Sequence, residues 1–250
     1  MSLARNEKRA VPMKTFLSNL VWQIDIPKSL REINNSVHVD LGSGLTPRNP
    51  FGAQRLIATD IGIKDFQTIH YLSGEPEVEY LDSFDLTTSF SFESNSISSF
   101  SAYDVVEHIP RWERFDGIIR FPFVHFMNEI HRCLVPGGFF LAVTPFFPRD
   151  ASFVDPTHVN YVSIETIDYF CNDQLVKSLT SCYGFEGIFE KICSTKLRGP
   201  GPFLHGHQTL RSVRGRSSFP IFLMKLSKRV FNLPRVNKAT HLLWVMRKPL

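Results

Sequence analysis

Residues 37–44, VHVDLGSG, constrain the fold of this chain more than any other stretch. Their alternating apolar and polar residues, two of the apolar ones β-branched, predict a short buried strand. Gly42 and Gly44 follow, and two glycines allow a sharp turn in which the backbone can approach a ligand closely. A second predicted strand at 55–60 ends in Asp60, which lies 20 residues beyond Asp40. In a nucleotide-binding βαβ unit, an acid about 20 residues beyond the glycine turn accepts hydrogen bonds from ribose hydroxyls.

The sequence around the turn excludes two common phosphate-binding sites. The dinucleotide fingerprint G-x-G-x-x-G fails because Pro47 occupies the third glycine position, and no G-x-x-x-x-G-K-[ST] sequence follows Gly42. The prolines of TPRNP at 46–50 predict a loop rather than a long helix after the turn. Taken alone, the G-x-G sequence is equally compatible with an ordinary tight turn.

The rest of the chain continues a pattern of strands alternating with helical segments. In chain order the predicted elements are a strand at 78–81, a strand at 96–102, an amphipathic helix at 123–134, a strand at 139–143, a helix at 164–180, a strand at 185–195 and a strand at 241–246. The helix at 123–134 stops at Pro-Gly-Gly, which is typical of a helix C-terminus. Such alternation predicts a mostly parallel sheet.

Several of these segments resemble the class I S-adenosylmethionine-dependent methyltransferases, of the type that acts on small molecules or saccharides. The resemblance rests on DLGSG at 40–44, EHIP at 107–110, EIHRCLVPGGFFLAVTP at 129–145 and DPTHV at 155–159. It spans residues 36–195 and implies an α/β fold: a Rossmann-like, doubly wound sheet of seven strands, mostly parallel, with an antiparallel edge strand.

The resemblance also implies a binding site for S-adenosylmethionine. Its residues would be Asp40, Gly42, Ser43, Gly44, Asp60, Ile61, Asp85, Leu86 and Tyr103. Asp85 would accept a hydrogen bond from the adenine amine, because a carboxylate only accepts and an amine donates. Asp82 is the reserve for this role, and the alternative is that Asp85 only forms an Asx turn after its strand.

The catalytic candidates lie in the DPTHV and EHIP segments. His158 has the pKa range of a general base that takes a proton from a hydroxyl, and Asp155 can orient it. His108 is the other candidate, although a histidine at this place is more often structural. Alternatively, DPTHV is a loop before a helix capped by Ser163, and in-line positioning of donor and acceptor supplies the rate.

Charge and cysteine patterns bound the partners. Residues 196–250 contain twelve Lys and Arg and no acidic residue, whereas residues 1–195 contain all 24 acidic residues and 16 basic ones. This basic segment either binds an anionic partner or neutralises the acidic body. The four cysteines form no C-x-x-C pair, so they are expected to be reduced thiols, and no metal site is expected.

The domain organisation follows from these assignments. The chain is expected to be a single domain with a helical leader at 1–35, a core at 36–195 and 240–250, and a basic insertion at 196–239. Within the insertion, residues 219–232 can form an amphipathic helix that lies on a membrane surface, caps the site or mediates dimerisation. No apolar run reaches the ~18 residues of a membrane helix, and no signal peptide is seen, so the cytoplasm is expected.

The sequence favours a methyltransferase that modifies an oxygen of a small-molecule or saccharide-like acceptor, anionic in character, as in cell-surface polysaccharide biosynthesis. The second hypothesis is an RNA methyltransferase, which is less favoured because the basic segment offers few aromatic side chains for base stacking. The third is a non-catalytic S-adenosylmethionine-binding partner protein. The sequence leaves the oligomeric state open.

Overall fold

The structure is a computed structural model that describes residues 35–62, 78–197 and 239–250. The predicted helical leader, except for its last residue, lies outside this part of the chain. So do residues 198–238 of the predicted basic insertion, which include the amphipathic segment at 219–232.

Seven strands form the central sheet, in the order β3-β2-β1-β4-β7-β9-β8. Their bounds are β1 Val37–Leu41, β2 Arg55–Thr59, β3 Val78–Leu81, β4 Ile97–Tyr103, β7 Leu134–Pro145, β8 Glu190–Leu197 and β9 His241–Arg247. Neighbours from β3 to β7 pair in parallel, whereas β9 pairs antiparallel with both β7 and β8. The predicted fold of seven mostly parallel strands with an antiparallel pair at one edge is therefore confirmed.

The centre of the sheet is covered on both faces. Every residue of β1 and β4 is buried, as expected of parallel strands in the middle of an α/β sheet. Helix α1, Pro122–Cys133, begins with a proline at its first turn, where the missing N–H costs no hydrogen bond. Its apolar stripe, which includes Phe126, Met127 and Ile130, joins the strands in one hydrophobic core.

The loop between β1 and β2 contains turns but no helix, as the prolines predicted. Helix α1 and strands β1, β2, β3, β4 and β9 lie within one or two residues of their predicted bounds. Strand β7 is longer than predicted. It begins at Leu134, which pairs with Ile97 across a register shift, instead of at residue 139.

Two predictions near the end of the sheet are wrong. The single helix predicted at 164–180 is two short helices, α2 Asp168–Cys171 and α3 Asp173–Ser178. Asn172 separates them because its backbone is extended and its side chain accepts hydrogen bonds from the first turn of α3. The strand predicted at 185–195 begins only at Glu190.

A small hairpin was not predicted from the sequence. Strands β5, Glu113–Phe115, and β6, Ile118–Arg120, pair antiparallel around Asp116 and Gly117. Asp-Gly is among the strongest short-range signals for a two-residue hairpin turn. The sequence therefore contains the signal for the turn at Asp116 and Gly117. Each of the two strands is only three residues long.

Across the described ranges, no helix combines the length and the apolar character needed to cross a bilayer.

Candidate active site

A cavity of about 410 Å³ lies at the carboxyl ends of β1, β2 and β4. The strand order reverses here, since the chain builds outward from β1 through β2 to β3 and from β4 to β7. In an open α/β sheet, the loops on either side of such a reversal diverge and leave a crevice for a ligand. The cavity is lined by Gly42, Asp60, Ile61, Phe84, Asp85, Leu86, Thr87, Asp104, Val105, His108 and Ile109.

The glycine turn forms one wall of this cavity. Gly42 and Gly44 have φ angles of 60° and 56°, in the left-handed region that favours glycine. A Cβ atom built on Gly42 would lie 2.4 Å from Cγ2 of Val105, whereas one on Gly44 would meet nothing within 4 Å. The turn therefore requires a glycine at 42 for space as well as for backbone conformation.

Asp60 joins this turn to the end of β2. Its Oδ2 accepts a hydrogen bond from the Gly44 N–H at 3.0 Å, and its Oδ1 accepts one from the Gly62 N–H at 3.2 Å. Each carboxylate oxygen can accept a second bond. Because Asp60 also lines the cavity, it can accept hydrogen bonds from a ligand's hydroxyl groups while it stays fixed by the backbone.

Asp85 forms the Asx turn that the sequence offered as the alternative, and it also lines the cavity. Its Oδ1 accepts hydrogen bonds from the N–H and the hydroxyl of Thr87, both at 2.8 Å, which makes an Asx turn. Asp85 also lines the cavity, and the described residues give its Oδ2 no hydrogen bond. Asp82 instead is exposed and bonded to the Ser83 N–H, and it does not line the cavity.

A buried chain of hydrogen bonds holds Asp40 beneath the turn. Asp40 accepts the Ser101 hydroxyl at 2.5 Å and the Arg48 N–H at 2.8 Å. Because the Ser101 hydroxyl donates to the carboxylate, it must accept from His38 Nε2, which lies 2.8 Å away. The other ring nitrogen, Nδ1, then accepts the Ser99 hydroxyl at 2.8 Å. The parallel register of β1 and β4, which pairs His38 with Ser99 and Asp40 with Ser101, brings these groups together.

Burial controls the charge of the side chains in this hydrogen-bonded series. Burial raises the pKa of Asp40 to about 6, although the nearby Arg48 guanidinium opposes the shift. Burial also lowers the pKa of His38 to about 3, so its imidazole is neutral at pH 7. A neutral imidazole is what the directed hydrogen bonds require, since only one ring nitrogen can donate.

The nine predicted cofactor residues divide into two groups. Those that line the cavity are Gly42, Asp60, Ile61, Asp85 and Leu86, whereas Asp40, Ser43, Gly44 and Tyr103 do not line it. Ser43 donates its N–H to the Thr59 carbonyl, and Tyr103 is buried with the Arg48 guanidinium 4.4 Å from its ring centroid. Ser43 and Gly44 belong to the glycine turn itself, whereas Asp40 and Tyr103 lie near the ends of strands β1 and β4.

The three predicted catalytic residues lie close together, His108 just after β4 and Asp155 and His158 in the loop after β7. His108 lines the cavity, and its ring contacts that of His158 with centroids 4.8 Å apart. Thr157 donates its hydroxyl to Asp155 at 2.6 Å and accepts from His108 Nδ1 at 3.0 Å. The Asp155 carboxylate is therefore placed to orient the His108 ring through Thr157, whereas its link to His158 is a backbone hydrogen bond from the His158 N–H to the Asp155 carbonyl at 3.2 Å. His158 instead donates its Nδ1–H to the Ser152 carbonyl at 3.2 Å.

Glu107 is a component of this site that sequence reasoning missed, although it is part of the EHIP segment. It is 1% exposed, and its Oε2 accepts the Thr144 hydroxyl at 2.9 Å. Its Oε1 has no hydrogen-bond partner among the described residues and lies 3.9 Å from His158 Nε2. Burial raises the pKa of Glu107 to about 8. Its backbone carbonyl accepts the Val159 and Asn160 N–H groups, which fastens the loop that carries His158 to the end of β4.

Comparison with known proteins gives structural similarities at low sequence identity. No protein-family model matches the sequence, and no curated protein matches it significantly. Among solved structures, an S-adenosylmethionine-dependent methyltransferase from Mesorhizobium loti is 14% identical, covering 88% of this chain and 96% of that chain, with a TM-score of 0.42. A SAM-dependent methyltransferase from Archaeoglobus fulgidus is 12% identical, covering 85% of this chain and 86% of that chain, with a TM-score of 0.46.

A third similar structure is phosphoethanolamine N-methyltransferase 1 from Haemonchus contortus, in complex with phosphoethanolamine and S-adenosylhomocysteine. It is 13% identical, covers 94% of this chain and 41% of that chain, and has a TM-score of 0.48. The strand order and the lining of the cavity, rather than these similarities, carry what can be inferred about function.

Proposed function

We propose that this chain is a methyltransferase that uses S-adenosylmethionine and methylates an oxygen of a small-molecule or saccharide-like acceptor. The observation that carries the proposal is the cavity where the strand order reverses. A glycine turn and two carboxylates, Asp60 and Asp85, border one space of about 410 Å³. Asp60 suits the ribose hydroxyls of a nucleoside, and the free oxygen of Asp85 suits the exocyclic amine of adenine.

The charge of the cavity favours a cationic cofactor. Three aspartates line it, Asp60, Asp85 and Asp104, and the lining residues that the structure describes include no lysine or arginine. This negative field attracts a sulfonium and repels a pyrophosphate. The loop at 42–54 also contains no helix, so no helix N-terminus follows the glycine turn to receive a phosphate.

Apolar side chains complete a site for a flat base. Ile61, Phe84 and Leu86 line the same cavity as the carboxylates. A small-molecule site of this kind combines apolar walls with a few fixed polar groups that set the orientation of the ligand.

The acceptor would enter beside His108. When bound, S-adenosylmethionine would supply an activated methyl group. Transfer of that group to an acceptor oxygen would leave the demethylated cofactor and would require the acceptor hydroxyl to lose its proton. His108, His158 and Glu107 are the groups near this end of the cavity that can assist the loss of that proton. The loops that carry them supply the positioning on which such a transfer depends.

Two finer expectations stay predictions. An anionic acceptor was inferred from the basic insertion, most of which lies outside the described residues. The cytoplasm remains the expected compartment, because all four cysteines are free thiols, as in proteins of reducing compartments.

Calorimetric titration of S-adenosylmethionine and its demethylated product into the full chain tests the proposal. We expect binding in the micromolar range. Asp60→Asn, which keeps the shape but removes the charge and one acceptor, should weaken it by about tenfold or more, equivalent to about 1.4 kcal/mol. Asp82→Asn is the matched control and should bind as wild type does, because Asp82 does not line the cavity.

The outcomes separate the alternatives. Absence of binding to wild type would refute the proposed function. Binding without turnover on any hydroxyl-bearing acceptor would favour a non-catalytic partner protein, and salt-dependent RNA binding with RNA turnover would favour the RNA hypothesis.

A further inference from the structure

We infer that Glu107, His108 and His158 bind a divalent transition-metal ion beside the cavity. One ligand atom from each of these residues lies within 4.8 Å of those from the other two. His158 Nε2 and Glu107 Oε1 are 3.9 Å apart. Zinc–ligand bonds of about 2.0–2.2 Å to nitrogen and oxygen place neighbouring ligands about 3–3.5 Å apart, so the widest of these separations has to shorten by about 1.3–1.8 Å.

The hydrogen bonds around the cluster leave three electron pairs without a donor. His108 and His158 each direct Nδ1–H to an acceptor, Thr157 Oγ1 and the Ser152 carbonyl, so each Nε2 keeps its lone pair. The Oε2 atom of Glu107 is held by the Thr144 hydroxyl, whereas Oε1 has no hydrogen-bond partner in the described part of the chain. A buried acceptor left unpaired destabilises the fold, and a bound cation would remove that cost.

A shared proton explains the arrangement less well. The 3.9 Å between Glu107 and His158 exceeds the length of a hydrogen bond, so a proton on either group does not satisfy the other. A metal ion can accept all three electron pairs at once.

The groups behind the cluster match those that support metal ligands elsewhere. Histidine ligands commonly donate their second ring N–H to a carbonyl, a carboxylate or water, which fixes the ring and its tautomer. His158 does so directly to the Ser152 carbonyl. His108 does so through Thr157, whose hydroxyl is in turn bonded to the Asp155 carboxylate.

The ligand set indicates the class of ion. Two imidazoles and one carboxylate suit Zn²⁺ or Fe²⁺ with open coordination positions, whereas Mg²⁺ and Ca²⁺ prefer oxygen ligands. Because His108 lines the cavity, an open position can face it. An acceptor hydroxyl on such an ion would have a lowered pKa, as bound water does. This role in acceptor activation rests on the proposed function, whereas the metal site itself does not.

Metal titration of the full chain, stripped with a chelator, tests the inference. Co²⁺ binding is followed by the visible absorption of the bound ion. The affinity for Zn²⁺ is measured by competition with a chromophoric chelator. We expect one equivalent to bind in the micromolar range or more tightly. Glu107→Gln and His158→Gln should each weaken Zn²⁺ binding by about 100-fold or more, since changes in outer-shell partners alone cost roughly 10- to 100-fold.

A matched control addresses other histidines. His205 and His207, in the sequence HGH, offer a second place for a metal ion. The variant His205→Gln/His207→Gln should bind Zn²⁺ as wild type does. The inference is overturned if wild type binds no stoichiometric metal, if Glu107→Gln and His158→Gln bind as tightly as wild type, or if only the control variant loses binding.

The measurements also separate this inference from the proposed function. Circular dichroism shows whether each variant is folded. The Co²⁺ spectrum of wild type reports metal binding directly, so it tests the site even if a variant does not fold. Metal binding without S-adenosylmethionine binding would sustain the site and refute the methyltransferase proposal. S-adenosylmethionine binding without metal binding would do the reverse.

Discussion

Replacement of Gly42 by alanine should destabilise the fold more than the same change at Gly44. Both residues have positive φ angles near 60°, so alanine at either position carries the left-handed cost of about 1–2 kcal/mol. At Gly42 alone, the new Cβ would lie 2.4 Å from Val105 Cγ2. Carbon atoms pack best at about 3.5–4.0 Å. Relieving this overlap by shifting Val105 or the turn should cost about 1–3 kcal/mol more.

The expected free-energy changes are therefore about 1–2 kcal/mol for Gly44→Ala and about 2–5 kcal/mol for Gly42→Ala. Urea denaturation followed by circular dichroism measures both, with equal m-values as the check that unfolding stays two-state. The double variant Gly42→Ala/Val105→Ala removes the methyl groups that the new Cβ meets. Its destabilisation should fall short of the sum of the single changes by about 1–2 kcal/mol. Equal losses at Gly42 and Gly44, or strict additivity with Val105→Ala, would refute the reasoning.

Two further predictions concern the buried histidine and the metal cluster. Burial lowers the pKa of His38 from 6.5 to about 3, so the unfolded chain binds the extra proton in this interval and stability is lost as the pH falls from 6.5 towards 3. His38→Gln removes the loss of stability that His38 causes. In this variant the pKa of Asp40, raised from 3.8 to about 6, makes stability increase as the pH falls from 6 to 3.8. Urea denaturation of both proteins between pH 4 and pH 7 measures the difference. Thr157→Val breaks the link between Asp155 and His108 and should weaken Zn²⁺ binding by about tenfold or more, without changing the calorimetric affinity for S-adenosylmethionine. Unchanged Zn²⁺ affinity would contradict the role of Thr157.

The parts of the site that were predicted are those written in contiguous sequence. The glycine turn, Asp60 and Asp85 each follow a strand whose apolar residues identify it, and parallel strands bring their carboxyl ends together. The hydrogen-bonded chain through His38 could not be predicted in this way, because Ser99 and Ser101 lie 61 and 63 residues further along. Only the register of β1 against β4 makes them neighbours.

The cluster that we propose binds a metal ion could not be predicted for a related reason. No cysteine pair marks it in the sequence, and the proposed ligands are the adjacent Glu107 and His108 and the distant His158, which only the fold brings together. The break between the two short helices at Asn172 could not be predicted either. The apolar pattern continues around Asn172, whereas its side chain caps the next helix. Local side-chain hydrogen bonds of this kind do not alter hydrophobic periodicity.

The antiparallel strand β9 has a consequence for how this protein can change over evolution. The backbone of Thr240 donates to the Leu197 carbonyl at 2.8 Å, so the connection between β8 and β9 is closed at its base by a hydrogen bond. His241, at the start of β9, pairs with Pro145 at the carboxyl end of β7, and both stems therefore stand at the edge of the sheet that bears the cavity. Because both stems are held by hydrogen bonds at the edge of the sheet, selection can change the length and sequence of the connecting segment with little risk to the strands that border the cavity.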